Sequence, residues 1–413
     1  MTRTSFDKRW PAWVVCVAMV LFVAGGDANH VRAQRTTPRV VAVGDVHGDL
    51  DAFITILRRT GLVDESRRWT GGTSVLVLPG DFTDRGPKVR EIMDLLIDLE
   101  EQAPRAGGRV VVLLGNHEVM NLMGDLRYVT PEIYASFAGP QPDSRRESAY
   151  AAYLKLIAGQ AETARRREID APQPDAREAW MAEHPAGFVE YVDAFGSRGR
   201  YGAWLRRKSV VFRSGDVAFL HGGLDPGRDA VSLDAINDTA TAEMRMFDNL
   251  RDRMVDRGLI LPYSTFEEIL AVARREIDAL AGDLAKNKER PMEEWLRDIQ
   301  QVGSWSVLVP NGPLWFRGYA TWSEAEGEAA MKVLGERYRI ARVAVGHTIT
   351  QTRRIQTRFG KRVFLIDTGM SSASGANGTP SALEIRDGRF TAMYPDGEPI
   401  LLDAPVPALE PAR

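Results

Sequence analysis

Five short apolar runs in this chain each end in a glycine-flanked loop that carries an acid, an amide or a histidine. The loops are Gly44-Asp45-Val46-His47-Gly48, Gly80-Asp81-Phe82-Thr83-Asp84-Arg85-Gly86, Gly115-Asn116-His117-Glu118, Leu220-His221-Gly222-Gly223 and Val345-Gly346-His347-Thr348. Four of the six histidines fall in them. A carboxylate, amide and imidazole set without a thiolate is the ligand chemistry of two adjacent hard or borderline divalent ions. Such ion pairs activate water for attack on phosphorus. The pattern therefore points to metal-assisted phosphoester hydrolysis.

The runs also set the fold class. Arg39 to Val43, Val75 to Leu78 and Val110 to Leu114 read as buried strands. Leu50, Phe53, Ile54 and Leu57 lie at helical spacing after the first. Pro87 suits the first turn of a second helix, continued by Ile92, Leu95, Leu96 and Leu99. This βαβαβ alternation predicts an α/β sheet with ligands at the strand ends. Val210 to Leu220 reads as one further strand ending at His221, and Arg342 to Val345 and Val363 to Ile366 as two more. Arg386-Asp387-Gly388-Arg389 is a hairpin turn signal. Within a catalytic domain spanning 36–400, residues 126–200 and 238–302 read as helical inserts, and 401–413 as a loose tail.

The N-terminus has the order of a secretory signal over residues 1–33. Arg3, Lys8 and Arg9 precede an apolar stretch from Ala12 to Gly25, and Val31-Arg32-Ala33 offers cleavage before Gln34. The stretch is shorter than the roughly 20 residues of a spanning helix. The expected product is exported, periplasmic or secreted, with no stable membrane insertion after cleavage; an uncleaved N-terminal anchor is the alternative. Cys16, the only cysteine, lies inside the apolar stretch. The mature chain would then have no thiol, which excludes cysteine-ligated zinc, iron–sulfur chemistry and a cysteine nucleophile. The formal charge is −3 with no basic block, which disfavours a nucleic acid partner.

A two-ion hydrolase needs a bridging carboxylate and terminal ligands for each ion. Asp45 and His47, two apart after one strand, can face the same ion across a tight glycine turn. Asp81 follows the next strand and is the natural bridge, Asn116 offers a neutral oxygen after the third, and His221 and His347 come from equivalent strand ends. Gly44 to Gly48, Gly80 to Gly86 and Gly115 to Glu118, in that order, resemble the three-part signature of the calcineurin-like metallophosphoesterases. Asp84-Arg85-Gly86 resembles the phosphoprotein phosphatase branch. Gly202-Ala203-Trp204-Leu205, His221-Gly222-Gly223-Leu224 and Gly312-Pro313-Leu314-Trp315-Phe316-Arg317-Gly318 look like the bacterial-type Shewanella-like protein phosphatases.

The resemblance implies an α/β architecture of two sheets flanked by helices, and roles for single residues. Asp45, His47 and Asp81 would hold one ion, and Asp81, Asn116, His221 and His347 the other. The ions would be manganese, iron or zinc. His117 would protonate the leaving oxygen, oriented by Asp84, while Arg85, Arg317 and Asn116 would grip the phosphoryl group. Attack by activated water would be direct, without a phosphoenzyme. The implied substrate is a protein or peptide carrying phosphoserine, phosphothreonine or phosphotyrosine. The Ser-Ala-Pro-Asn-Tyr segment of the eukaryotic enzymes is replaced here by Asp367-Thr368-Gly369-Met370-Ser371-Ser372. Two other readings remain open from sequence: a hydrolase of small phosphate esters or dinucleoside polyphosphates, and a non-catalytic metal-binding protein that docks phosphorylated partners. Glu118 reads as a backbone-bonding residue rather than a catalyst. The tryptophans at 204, 305, 315 and 322 read as core.

Overall fold

The computed structural model describes residues 38–164, 176–285 and 294–403. The expected signal over 1–33 lies outside the described residues, as does most of the expected tail. None of the described helices is long and apolar enough to cross a membrane.

Strands β1 (Val40–Val43) and β2 (Val75–Leu78) are apolar at every position and buried on both faces. They pair in parallel with each other, and β2 with β3 (Arg109–Val112). A parallel strand buried on both faces leaves no place for charge until it ends, which is why the polar motifs sit where they do. Helix α1 (Leu50–Arg59) crosses from β1 to β2, its first turn capped by Asp49, which accepts from Ala52 N at 3.0 Å. Helix α2 (Val89–Gln102) begins two residues after Pro87. Helix α3 (Asn116–Met123) starts inside the third motif itself.

The first insert forms α4 (Pro131–Phe137), α5 (Pro142–Ala164), α6 (Ala176–Glu183), α7 (Phe188–Phe195) and α8 (Arg200–Leu205). The run from Val210 to Leu220 is two strands rather than the single one expected. β4 (Val211–Ser214) and β5 (Val217–Leu220) pair antiparallel. The chain turns at Gly215, whose φ of +60° suits glycine. The second insert begins at Leu233, five residues earlier than its expected start at 238, because Ser232 caps the helix by accepting from Ala235 N. It comprises α9 (Leu233–Asp256), α10 (Phe266–Ala285) and α11 (Glu294–Gln301). The short α12 (Gly318–Thr321) and α13 (Glu324–Tyr338) lead into β6 (Arg342–Val345), β7 (Gln356–Arg358), β8 (Val363–Leu365), β9 (Ala382–Arg386), β10 (Arg389–Met393) and β11 (Ile400–Asp403). Strand β11 pairs with β10, so the tail expected from 401 starts inside a strand. The hairpin expected at Asp387-Gly388 is present, both residues having positive φ.

The strands form a six-stranded sheet, β11-β10-β9-β1-β2-β3, and a five-stranded sheet, β4-β5-β6-β8-β7. Alternate residues of each face the other sheet: Val40, Ala42, Val75 and Val77 pack with Phe219, Ala344 and Phe364 in one buried cluster. Their neighbours Val41, Val43, Leu76 and Leu78 turn the other way and belong to a second cluster with the helices. Fully burying each such side chain contributes about 1.5–3 kcal/mol, and the two-residue period commits every strand to both layers. β1, β2 and β3 run parallel, as do β5, β6 and β8. The motif loops follow the C-terminal ends of these strands.

Candidate active site

Backbone hydrogen bonds fasten the motif loops together. Val46 N and His47 N both donate to Asp81 O at 3.0 Å, and Gly86 N donates to His47 O at 3.0 Å. A Cβ on Gly48 would lie 2.1 Å from Gly86 O, so only glycine permits this approach. The Glu118 carboxylate accepts from Asp81 N (2.7 Å), Gly115 N (2.8 Å), Phe82 N (3.0 Å), Thr83 N (3.0 Å) and Thr83 Oγ1 (2.8 Å). It is a buried support for the Asp81 loop, as the sequence indicated. His47, Asp81, Asp84, Arg85 and His347 have left-handed backbones, with φ of 43°, 54°, 65°, 68° and 65°. Each such non-glycine residue costs about 1–3 kcal/mol and persists only where its surroundings over-determine it. Five of them gather at one place.

Asp81 Oδ2 stands among the imidazoles, 3.1 Å from His221 Nε2, 3.6 Å from His47 Nε2 and 3.8 Å from His117 Nε2. His221 Nε2 is also 2.8 Å from Asn116 Oδ1 and 3.1 Å from His347 Nδ1. Among the described residues, two triplets could each hold an ion: His47, Asp81 and His117, and Asp81, His221 and His347. Asp81 is common to both. His47 Nδ1 lies 3.0 Å from Thr83 O, a pure acceptor, so Nδ1 carries the proton and Nε2 is free to ligate. Burial brings the His47 imidazole down to about 3, and burial with His221 and Arg317 brings His347 to about 2. Both rings are therefore neutral, the form that binds metal.

The carboxylates are in the opposite position. Burial, then Asp367 and Asp81, push Asp45 well above the carboxylate range, and burial pushes Asp367 up to about 6. Burial also opposes the charge of Asp81, yet His221 and then His117 hold it well below its ordinary value. The ring atoms His221 Nδ1 and His347 Nε2 are buried without hydrogen-bond partners. The atoms that converge beside Asp81 Oδ2 are the opposite ring nitrogens, His221 Nε2 and His347 Nδ1, with Asn116 Oδ1, and such lone pairs repel one another unless a cation stands among them. The donor set therefore fits two metal ions.

His117 behaves differently from the other rings. Its Nδ1 lies 2.7 Å from Asp84 Oδ2, and its Nε2 lies 3.4 Å from the Arg85 guanidinium, which disfavours a metal at that nitrogen. Asn121 Nδ2 donates to Asp84 Oδ1 at 2.9 Å, and Tyr191 OH donates to Asn121 Oδ1 at 2.5 Å. Asp84 does not cap α2, whose N-cap is Lys88. Arg317 is exposed and donates through Nη1 to His347 O (3.2 Å) and Thr348 Oγ1 (2.9 Å).

All ten candidate residues except Asp84 and His221 line one pocket of about 90 Å³, and those two touch its wall from behind. Asp367, Tyr128, Trp315 and Ile349 complete it. Sequence reasoning assigned none of these four to the site. Asp367 did carry a signal, standing just past an apolar run and before Gly369 as the other motifs do; Tyr128 carried none. Trp315, expected in the core, is half-buried at the mouth, whereas Trp204 and Trp305 are buried as expected. Tyr128 packs on His117 with ring centroids 4.9 Å apart, and Trp315 meets His347 edge-on at 5.8 Å. Both also line a neighbouring cleft of about 670 Å³, walled by Met120, Met123, Phe266, Leu270 and Ile277.

Two mixed sheets whose strand ends converge on paired metal sites define a metal-dependent phosphoesterase. The chain belongs to the calcineurin-like phosphoesterases, whose family pattern matches residues 38–351. Shewanella-like protein phosphatase 1 of Plasmodium berghei is 24% identical over 86% of this chain and 74% of its own. Shewanella-like protein phosphatase 2 of Arabidopsis thaliana is 48% identical over a shorter stretch, 22% of this chain and 24% of its own. Among solved structures, a cold-active protein tyrosine phosphatase superposes with a TM-score of 0.54 at 23% identity, covering 89% of this chain and 79% of the other. The two-sheet fold expected from the sequence is thus present, and the protein is a metal-dependent phosphatase.

Proposed function

We propose that the substrate is a phosphorylated protein or peptide, hydrolysed without a phosphoenzyme intermediate. Asp45, His47 and Asp81 would hold one ion, and Asp81, Asn116, His221 and His347 the other. The mixed oxygen and nitrogen donors suit manganese, iron or zinc. Once bound, the ions polarise the phosphoryl oxygens and activate the attacking water. Arg85 and Arg317 lie on the same pocket as the metal sets and grip the phosphoryl group, since a guanidinium fork matches phosphate geometry. Asn116 adds an amide contact to the same group. His117 delivers a proton to the leaving oxygen while Asp84 fixes its ring.

The observation that carries the protein-substrate reading is the larger cleft beside the pocket, mostly apolar but also lined by Asp125, Arg127, Arg274 and Asp278. A small phosphate ester needs only the pocket; a peptide also needs a place for its flanking side chains. Tyr128 and Trp315 join the two spaces, and their rings favour an aryl ester such as phosphotyrosine. Turnover of phosphotyrosine, phosphoserine and phosphothreonine peptides, compared with small esters and a dinucleoside polyphosphate under several divalent ions, tests this. Faster hydrolysis of the dinucleoside polyphosphate, or of small esters over every peptide, overturns it. We further propose export, with a mature chain beginning near Gln34 in the periplasm or outside the cell. Intact mass of the protein from its native envelope tests this, and a mass retaining residues 1–33 means an anchor instead.

A further inference from the structure

Asp367 is a buried carboxylate to which the mechanism above gives no role. It follows β8, is 3% exposed and faces the metal pocket. Gly44 lets the end of β1 press on the end of β8: a Cβ there would lie 2.3 Å from Ile366 O and 3.2 Å from Asp367 Cα. That approach across the two sheets sets the Asp367 side chain beside that of Asp45, and both line the metal pocket. Asp45 is held from its other side by His347 N, 3.0 and 3.2 Å from its two oxygens. The Asp367 backbone is itself fixed, its carbonyl accepting from Thr350 N at 3.0 Å.

The comparison with Glu118 is decisive. Glu118 is just as buried, yet five donors satisfy it, so its negative charge needs no cation. Asp367 receives one backbone N–H, from Gly369 at 2.8 Å, and its other neighbour is an acid. Two carboxylates packed together with Asp81 close by are unfavourable unless positive charge is supplied. We propose that Asp367 is a third carboxylate of the metal centre. It acts by charge: beside Asp45 it adds the negative charge that retains the ion shared with His47. This rests on the metal assignments above but not on the identity of the substrate.

Asp367→Asn tests it, because the amide keeps the volume and the Gly369 bond but removes the charge. Manganese binding to chelator-stripped protein is followed by calorimetry, and melting temperature is measured with and without manganese. The expected result is a 10–100-fold weaker affinity for one of the two ions, the usual effect of changing a group that stands behind a metal ligand. The stripped variant should melt at or above the stripped wild type, since a buried repulsion is gone, and its gain on adding manganese should shrink. Unchanged affinity overturns the proposal. So does weaker binding accompanied by a lower melting temperature of the stripped variant, which makes Asp367 a fold residue only. No turnover enters either readout, so failure of the phosphoprotein reading leaves the result intact.

Discussion

His117 Nδ1 and Asp84 Oδ2 lie 2.7 Å apart, both side chains are buried, and Asn121 holds the other Asp84 oxygen. Burial opposes protonation of the ring, but the charge of Asp81 and the hydrogen bond and charge of Asp84 outweigh it and raise His117 above the ordinary imidazole value. The ring is thus kept as a proton donor with Nε2 on the pocket side.

His117→Asn should keep both metals and lose about 10²–10⁴-fold in turnover of alkyl esters. The loss should be smaller for nitrophenyl phosphate, whose leaving group needs less protonation. An acid must be protonated to act, so activity falls as pH rises through its pKa. Asp84→Asn removes part of what raises that pKa and should move the alkaline limb of the pH–rate profile to lower pH.

Asp81→Asn should reduce occupancy of both metal sites, because the Asp81 carboxylate is the one group shared by both triplets. Elemental analysis of the purified variant checks this. Two full equivalents of metal would mean that Asp81 does not bridge.

Glu118→Gln should destabilise the protein by about 3–5 kcal/mol, as expected for breaking a buried charge-assisted network. The amide places an N–H against backbone donors that now meet oxygen. Denaturant unfolding measures the change, and a loss under about 1 kcal/mol would show that the loop has other support.

Leu270→Asp places a charge in the wall of the apolar cleft without touching the pocket. It should lower kcat/KM about tenfold or more for a phosphopeptide with an apolar neighbour of the phosphoresidue, and leave nitrophenyl phosphate unchanged. An apolar side chain of the peptide seated against that carboxylate would strip it of water, which costs enough to account for that factor. Equal loss on both substrates would place the cleft outside substrate recognition.

The sequence by itself determined the strands and the loops that follow them. Val40–Val43 and Val75–Leu78 are apolar at every position and end at glycines, so strand, burial and polar terminus are all local signals. It also presented Asp45, His47, Asp81, Asn116, His221 and His347 as strand-end residues, and the structure brings them to one pocket or its wall. What it left undecided was pairing. Gly215-Asp216 does carry a local turn signal for the fold-back within Val210–Leu220, but nothing local told that Glu118 would collect donors from the Asp81 loop. Asp367 meets Asp45 only because β1 and β8 lie in facing sheets, and Tyr128 and Trp315 line one pocket only because the loop after α3 and the segment after α11 reach the same strand ends. Residues hundreds of positions apart acquire a shared environment from sheet order and packing, and burial beside one another is what turns two ordinary acids into a charged site that calls for a cation.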